Sequence, residues 1–344
     1  MKSVPYILIL FFSSGSLSGF SQQGNDAGSY LSFIGAQYEE ISKDMMSYSS
    51  AVAHGKGARK VEKRRNELML QLKESERNVR KMKPFRQSSK LRDSVASYMR
   101  ICQIVLNEDY GKIVNLEDVA EQSYDDMEAY LLAKDIANEK LDEANERVSD
   151  QYDAFAKENN IRLIETSSKL TEKIRAAGKV NEYQKSIYLL FFKSFKNDVY
   201  FVDALNKGDI NAMEQSKNSL QKSSTDDLLK LGPIQSFQGD ATLKNACQQM
   251  LTFYKKEAIV LGPVLIDFYL KKDNFDKIKK AFDASRTKTT EQSDVYNKAV
   301  LNYNASLKKF NVANDECNKS RSALLDKWNQ ASENFIDNHT PKYR

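Results

Sequence analysis

The chain has 344 residues and carries 52 Lys and Arg against 47 Asp and Glu, a formal net charge of only +5. Hydrophobic residues at 41% beside charged residues at 29% fit a folded protein with much solvated helix surface, long enough for one large or two modest domains with a core each. So slight a basic excess excludes the electrostatic footprint of a nucleic-acid-binding protein, and the three cysteines allow at most one disulfide.

The first residues read as an export address. Lys2 supplies the positive start, Tyr6 to Phe12 the apolar core, and Ser13 to Ser21 a run of small residues before Gln22. The apolar run is too short to span a bilayer as a helix. The expectation is a signal peptide over 1–21, no cysteine for a lipid anchor, and no spanning segment after cleavage.

A helix is predicted from about Gly28 to Ala53, and a second from Ala58 to Met82. The corner between them, Ser50 to Arg65 (SAVAHGKGARKVEKRR), holds a lone histidine, two glycines around Lys56 and a run of cations. Free amides at the start of the second helix, together with Lys56, Arg59 and Lys60, would suit an anion. A phosphate-binding P-loop would need a preceding strand and a Ser or Thr after the Gly-Lys pair, and neither is present. Lys56, Lys60, Lys63 and Arg64 fall on one face at helical steps, so Lys56, Arg59, Lys60, Lys63 and Arg64 form the candidate patch for an anion or an acidic partner; the bland reading is a solvated helix face.

After a break at Pro84 come helices over Ser89 to Leu106 and Leu116 to Glu158, with Asn115 placed to cap the latter. A connector with a short helix runs to Gly178. Helices follow over Val180 to Asn206 and Ile210 to Leu231. Beyond Pro233, Asp240 is placed to cap a helix from Ala241 to Leu261. No glycine or proline interrupts Val264 to Thr340, which as one straight helix would reach about 115 Å, so a break is expected near Ser285 to Thr290. Strands have almost no support: alternation and hairpin dipeptides are missing, Ile161 to Ile164 being the only short exception.

Two rows advance by alternating steps of three and four. One is Met127, Tyr130, Lys134, Ala137, Leu141, Ala144, Val148, Gln151 and Phe155. The other runs from Tyr296 through Val300, Tyr303, Leu307, Phe310, Asn314, Cys317, Arg321, Leu324, Trp328 and Ala331 to Phe335, with only Asn314 and Arg321 polar. Both are seams of the coiled-coil kind, serving either a homo-oligomer or a bundle within one chain.

The layout also repeats. Lys81-Met82-Lys83-Pro84-Phe85 is echoed by Lys230-Leu231-Gly232-Pro233 and Phe237, and Leu91-Arg92-Asp93 by Leu243-Lys244-Asn245. The offset grows from 152 (237 − 85) to about 176 (328 − 152) if Tyr152 is matched to Trp328, so the second copy would carry about 24 extra residues in its long arm. The fold expected is therefore an all-α, elongated helical bundle with long coiled-coil-like helices and an internal duplication. Its first helical repeat is set at 22–160, a connector at 161–179 and a second repeat at 180–340.

Little chemistry is recognisable. His54 and His339 are the only histidines and lack the spacing of a di-iron bundle. The acidic row Glu117, Glu121, Asp125 and Glu128 is explained by a hydrated face. Cys102, Cys247 and Cys317 sit among apolar positions and read as small buried thiols, with a Cys247 to Cys317 bridge as the alternative. There is no Gly-x-Ser-x-Gly turn and no cysteine beside an orienting histidine. No catalytic residue, metal or cofactor is assigned, and the expectation is a protein that is not an enzyme. The apolar clusters Ile187 to Phe192 and Ala258 to Leu270 read as core more readily than as membrane-inserting segments.

The runs AVAHGKGARKVEKRRNEL, Asn107 to Ala133 and Phe191 to Gln215 resemble the leptospiral-type exported bacterial surface protein family, over nearly the whole mature chain. The resemblance implies placement in the periplasm or on the surface of a bacterium with an outer membrane, and no more. The functional expectation is a non-catalytic envelope or surface protein presenting a helical interaction surface to an unknown protein or envelope component. A periplasmic small-molecule or metal carrier and a membrane-active helical protein are the alternatives.

Overall fold

The computed structural model describes residues 26–54, 58–109, 124–163 and 169–343. It is all-α, 87% helical with no strand among the described residues, its helices packed against each other. In chain order they are α1 (Ala27–Ala53), α2 (Ala58–Lys81), α3 (Lys90–Ile104) with a π-helical turn Val105–Asp109, α4 (Tyr124–Glu158), α5 (Lys169–Lys207), α6 (Ile210–Leu231), α7 (Thr242–Lys256) with a π-helical turn Glu257–Leu261, α8 (Gly262–Ala284) and α9 (Thr290–His339). The predicted signal segment and the Leu116 to Ser123 part of the fourth predicted helix lie outside the described residues.

The chain divides into two compact units, residues 1–182 with 336–344, and residues 183–335. In the first, α1 buries Leu31, Ile34, Tyr38, Ile41, Met45 and Tyr48, one stripe at steps of three and four. α2 meets it with Leu68, Leu72 and Val79, α3 with Leu91, Val95 and Met99, and α4 with Leu141, Ala144, Val148 and Phe155. In the second unit the same places are taken by Ile187, Phe191 and Phe201 of α5, Met213 and Leu220 of α6, Leu243, Cys247 and Leu251 of α7, and Cys317, Trp328 and Phe335 of α9. Leu91 and Leu243, matched in the sequence reading, are both buried one residue into equivalent helices.

The copies agree in detail. Phe85 and Ser88 exchange both backbone hydrogen bonds (2.9 and 2.8 Å), as do Phe237 and Asp240 (3.0 and 2.9 Å). The two central residues of each turn have positive φ: Arg86 at 45° and Gln87 at 69°, Gln238 at 52° and Gly239 at 89°. Such turns suit Asn-Gly or Gly-Gly, and Arg86-Gln87 and Gln238-Gly239 carry no such dipeptide. Beside each turn sits a trio of rings. Tyr30, Phe85 and Phe155 have centroids 5.2 to 5.6 Å apart, and Tyr183, Phe237 and Phe335 5.3 to 5.4 Å. Arg92 Nη1 donates to the Met82 carbonyl at 3.0 Å and Lys244 Nζ to that of Ile234. The turn residues and the Arg92 and Lys244 contacts share the offset of 152 (244 − 92), while the first helices, matched at Tyr30 and Tyr183, stand 153 apart (183 − 30).

The trio fixes the register of the long arm. Phe335 occupies the place of Phe155, an offset of 180 (335 − 155), not the 176 obtained by matching Tyr152 to Trp328. The two differ by four residues, one helical step, which a seam repeating every seven residues does not distinguish. The second copy thus carries about 28 residues more (180 − 152). They extend α8 and α9 into a hairpin in which no side chain from Tyr269 to Lys298 is fully buried and the seam is aromatic. Phe282 stacks on Tyr296 at 4.5 Å, Phe275 on Tyr303 at 5.0 Å, and Phe268 packs on Phe310 at 4.5 Å.

Two expected breaks are resolved differently. Gly178 does not end a helix: α5 begins at Lys169 and runs through it, because the buried anchors Ile174, Ala177 and Val180 flank it and outweigh the roughly 1 kcal/mol that an internal glycine costs. The connector 161–179 is therefore partly the start of α5, and the second unit begins at Tyr183. At Gly262-Pro263 the chain continues as helix after the π-helical turn. A Cβ at Gly262 would stand 3.1 Å from the Glu257 carbonyl and 3.2 Å from Lys217 Cγ, so a side chain there would push its neighbours back by a few tenths of an ångström. The break near Ser285 is present. Thr289 caps α9 reciprocally with Gln292, its hydroxyl accepting from the Gln292 amide and its own amide donating to Gln292 Oε1, both at 3.1 Å.

Candidate functional site

The basic corner is partly assembled. Lys56 lies outside the described residues. Arg59, Lys60 and Lys63 are exposed on the first turns of α2, on the side opposite Leu68 and Leu72. Arg64 is drawn into an ion pair with Glu67 at 2.8 Å, with Lys63 at 3.8 Å from the same carboxylate. Arg65 pairs with Glu62 at 3.1 Å and reaches the Leu106 carbonyl at 3.4 Å. The stripe is therefore cationic at its start and self-neutralised further on. His54, just after α1, turns back instead: its Nδ1 lies 2.7 Å from Asp337 Oδ1, and that contact holds the Asp337 carboxyl below its ordinary pKa.

The densest chemistry is inside the second unit, where Arg321 of α9 binds two buried acids. Its Nε is 2.9 Å from Asp198 Oδ2 and its Nη2 3.1 Å from Oδ1, the bidentate fork of a strong pair. Nη2 also donates to Glu257 Oε1. Asp198 comes from α5, and Glu257 opens the π-helical turn after α7, so the cluster ties three helices together. The Asp198 and Glu257 side chains are 1% and 0% exposed. Burial, reinforced by the charge of Asp198 and opposed by Arg321, pushes the Glu257 carboxyl up to about 9. The Glu257 carboxyl thus keeps its proton at neutral pH, the cheapest state for an acid taken out of water. Burial works against the Arg321 charge, but the two acids outweigh it and hold its pKa above the usual value. Tyr254, whose ionisation is opposed by burial and then by Asp198 and Glu257, has a buried hydroxyl without a hydrogen-bond partner.

None of this is demanded by the architecture. With the registers above, Asp198, Glu257 and Arg321 correspond to Met45, Val105 and Leu141, and Tyr254 and Cys317 to Cys102 and Ala137. All five residues of the first copy are buried. The same scaffold position is apolar once and ionic once. The sequence did carry a signal, since Arg321 is one of two polar residues in an otherwise apolar seam; its partners came from segments that show no pattern.

Above the cluster, α7 and α9 frame a groove of about 550 Å³. Asn245, Gln248, Gln249 and Thr252 line one wall, Glu316 and Ser320 the other, over Phe253, Leu261 and Leu324. Lys256 and Glu316 pair at its rim at 2.6 Å. The Arg321 guanidinium carbon lies over the Phe253 ring, 6.0 Å from its centre.

A second polar interior joins α5 to α6. Ser194 Oγ donates to Ser223 Oγ at 3.1 Å, Asn197 Nδ2 donates to the same oxygen at 3.1 Å, and Asp227 stands beside them with its carboxyl pKa raised by burial. The three thiols are free and buried. Burial pushes Cys102 up to about 12 and raises Cys247 and Cys317 likewise, so none is poised as a nucleophile. Glu117 and Glu121 lie outside the described residues, and no group of three metal-ligating side chains is found among the described ones. Both apolar clusters belong to the core of the second unit: Ile187, Phe191 and Phe192, and Ala258, Leu261, Leu265, Ile266 and Phe268, are buried. Among the described residues no helix is long and apolar enough to cross a membrane. No protein family, no curated protein and no solved structure matches the chain.

Proposed function

We propose that this chain is an exported, non-catalytic interaction module of a bacterial cell envelope, in which a duplicated helical scaffold presents a cationic corner to an acidic protein or envelope component. The observation that carries the reading is a comparison of equivalent faces. Arg59, Lys60 and Lys63 stand exposed at the start of α2, and the same face of α6 reads Asn211, Ala212 and Gln215. A charge that one copy omits is not needed to fold the other, and three unburied cations on adjoining turns attract anionic surfaces over roughly a Debye length. The resemblance of the corner sequence to exported surface proteins supports the envelope setting.

Replacing Lys56, Arg59, Lys60, Lys63 and Arg64 together by glutamine tests it. Retention on isolated envelope material should fall several-fold and lose its dependence on salt; retention equal to the wild type rejects the corner as the contact. A second reading, the binding of a small ligand, is favoured by the groove above Arg321.

A further inference from the structure

The groove between α7 and α9 has a chemistry that narrows what it can hold. Its charges cancel, because Lys256 and Glu316 pair with each other; it has no reason to select an ion. Its apolar residues, Phe253, Leu261 and Leu324, form a floor and not the row of anchors at three- and four-residue steps that seats an amphipathic helix. The remaining lining is amide and hydroxyl, groups that donate and accept at once. Closely spaced donors and acceptors over a floor of C–H groups match a neutral ligand dense in hydroxyls and carrying apolar ring faces. We infer that this groove binds a neutral oligosaccharide, and that Asp198, Arg321 and Glu257 are positioning residues that hold its two walls in register.

The first copy serves as an internal control. In register with Asn245, Gln248, Lys256, Glu316 and Ser320 it has Asp93, Ala96, Ile104, Ile136 and Lys140. The rim ion pair is replaced by two isoleucines, and an amide of the wall by a buried alanine. The amide and hydroxyl lining and the buried ionic cluster occur together in one copy; in the other, Gln249 and Thr252 are matched by Ser97 and Arg100, so the lining there mixes the charged Asp93, Arg100 and Lys140 with Ala96, Ile104 and Ile136. A structural cluster would have no cause to follow the groove. A positioning cluster would, since Arg321 follows Ser320 on one wall, Glu257 follows Lys256 on the other, and a bidentate contact fixes direction where packed methyl groups allow sliding. The volume lies within the range of small-molecule sites.

The test uses the full chain and three neutral hexasaccharides, of α-glucose, β-glucose and N-acetylglucosamine, titrated calorimetrically. At least one should bind saturably with Kd below about 1 mM. The exposed double variant Gln248→Ala, Gln249→Ala should weaken it at least about tenfold. The triple variant Asp198→Met, Glu257→Val, Arg321→Leu, which copies the first unit, should keep its helical circular dichroism and thermal midpoint and lose the same affinity. If the triple variant does not fold, Asp198→Asn, which weakens the bidentate contact with Arg321, takes its place, with loss of affinity as the readout. No saturable binding up to about 10 mM, binding of a peptide but of no sugar, or binding indifferent to the double variant would overturn the assignment. None of these residues belongs to the cationic corner, so envelope retention can fail or hold independently.

Discussion

Arg321 and Asp198 form a two-pronged contact at 2.9 and 3.1 Å in the interior of the second unit, where the matching positions of the first unit are the buried Leu141 and Met45. Ionic and apolar solutions to one packing position within a single chain separate what the fold requires from what has been added to it.

Removing the arginine alone should be severe. Arg321→Leu strands two buried acids and is expected to cost about 3–5 kcal/mol, read from chemical denaturation. The triple replacement by Met, Val and Leu should lie within about 2 kcal/mol of the wild type, because packed apolar groups substitute well for a buried ionic cluster. A triple variant as unstable as the single one would show that the two copies do not share a register.

Glu257 sets a pH dependence. Its pKa is about 9 in the folded protein against 4.5 as the reference, so between those values the folded state holds a proton that the unfolded state releases. The stability associated with this group is complete below pH 4.5 and is lost as pH rises towards 9, with a slope of at most about 1.4 kcal/mol per pH unit. Glu257→Gln keeps the acceptor for Arg321 without the titration. It should flatten this part of the profile and raise stability at pH 8 by about 1–3 kcal/mol. A wild-type profile rising across that window would contradict the assignment.

The turn at Arg86 and Gln87 holds two non-glycine residues at positive φ, and its counterpart places Gly239 where Gln87 stands. Gln87→Gly should therefore stabilise the first unit by roughly 0.5–1 kcal/mol, and Gly239→Gln should destabilise the second by a similar amount. Thermal unfolding of each variant checks both signs.

The three thiols should be silent in the native protein. Burial raises each of them, so a thiol reagent at pH 8 should label none until denaturant is added and then label all 3. Rapid labelling of the native state would place at least one at the surface.

Periodicity made the helices legible, because the spacing of apolar residues directly encodes which face of a helix leaves water. The row from Met127 to Phe155 supplies the buried face of α4 through Met127, Tyr130, Ala137, Leu141, Ala144, Val148 and Phe155; the row in α9 is core from Cys317 to Phe335 and a half-buried aromatic seam before it. The break at Ser285 was legible from the absence of any other stop over a helix too long to stand alone, and the echo around Phe85 and Phe237 from paired landmarks. Gly178 misled because a residue's helix propensity is worth less than the burial of its neighbours. The match of Tyr152 to Trp328 misled because a seven-residue repeat looks alike at every helical step.

The sequence by itself determined that this chain is helical, built twice, and cationic at one corner, since each of these is a property of order along the chain. Only the tertiary structure decided that Asp198, Glu257 and Arg321 meet, that a groove lies above them, and that the first copy fills the same place with methionine, valine and leucine. Partners 64 and 123 residues apart, Glu257 with Arg321 and Asp198 with Arg321, leave no local pattern. Their association is set by the packing of three helices, and the energy of a buried charge depends on what surrounds it in space.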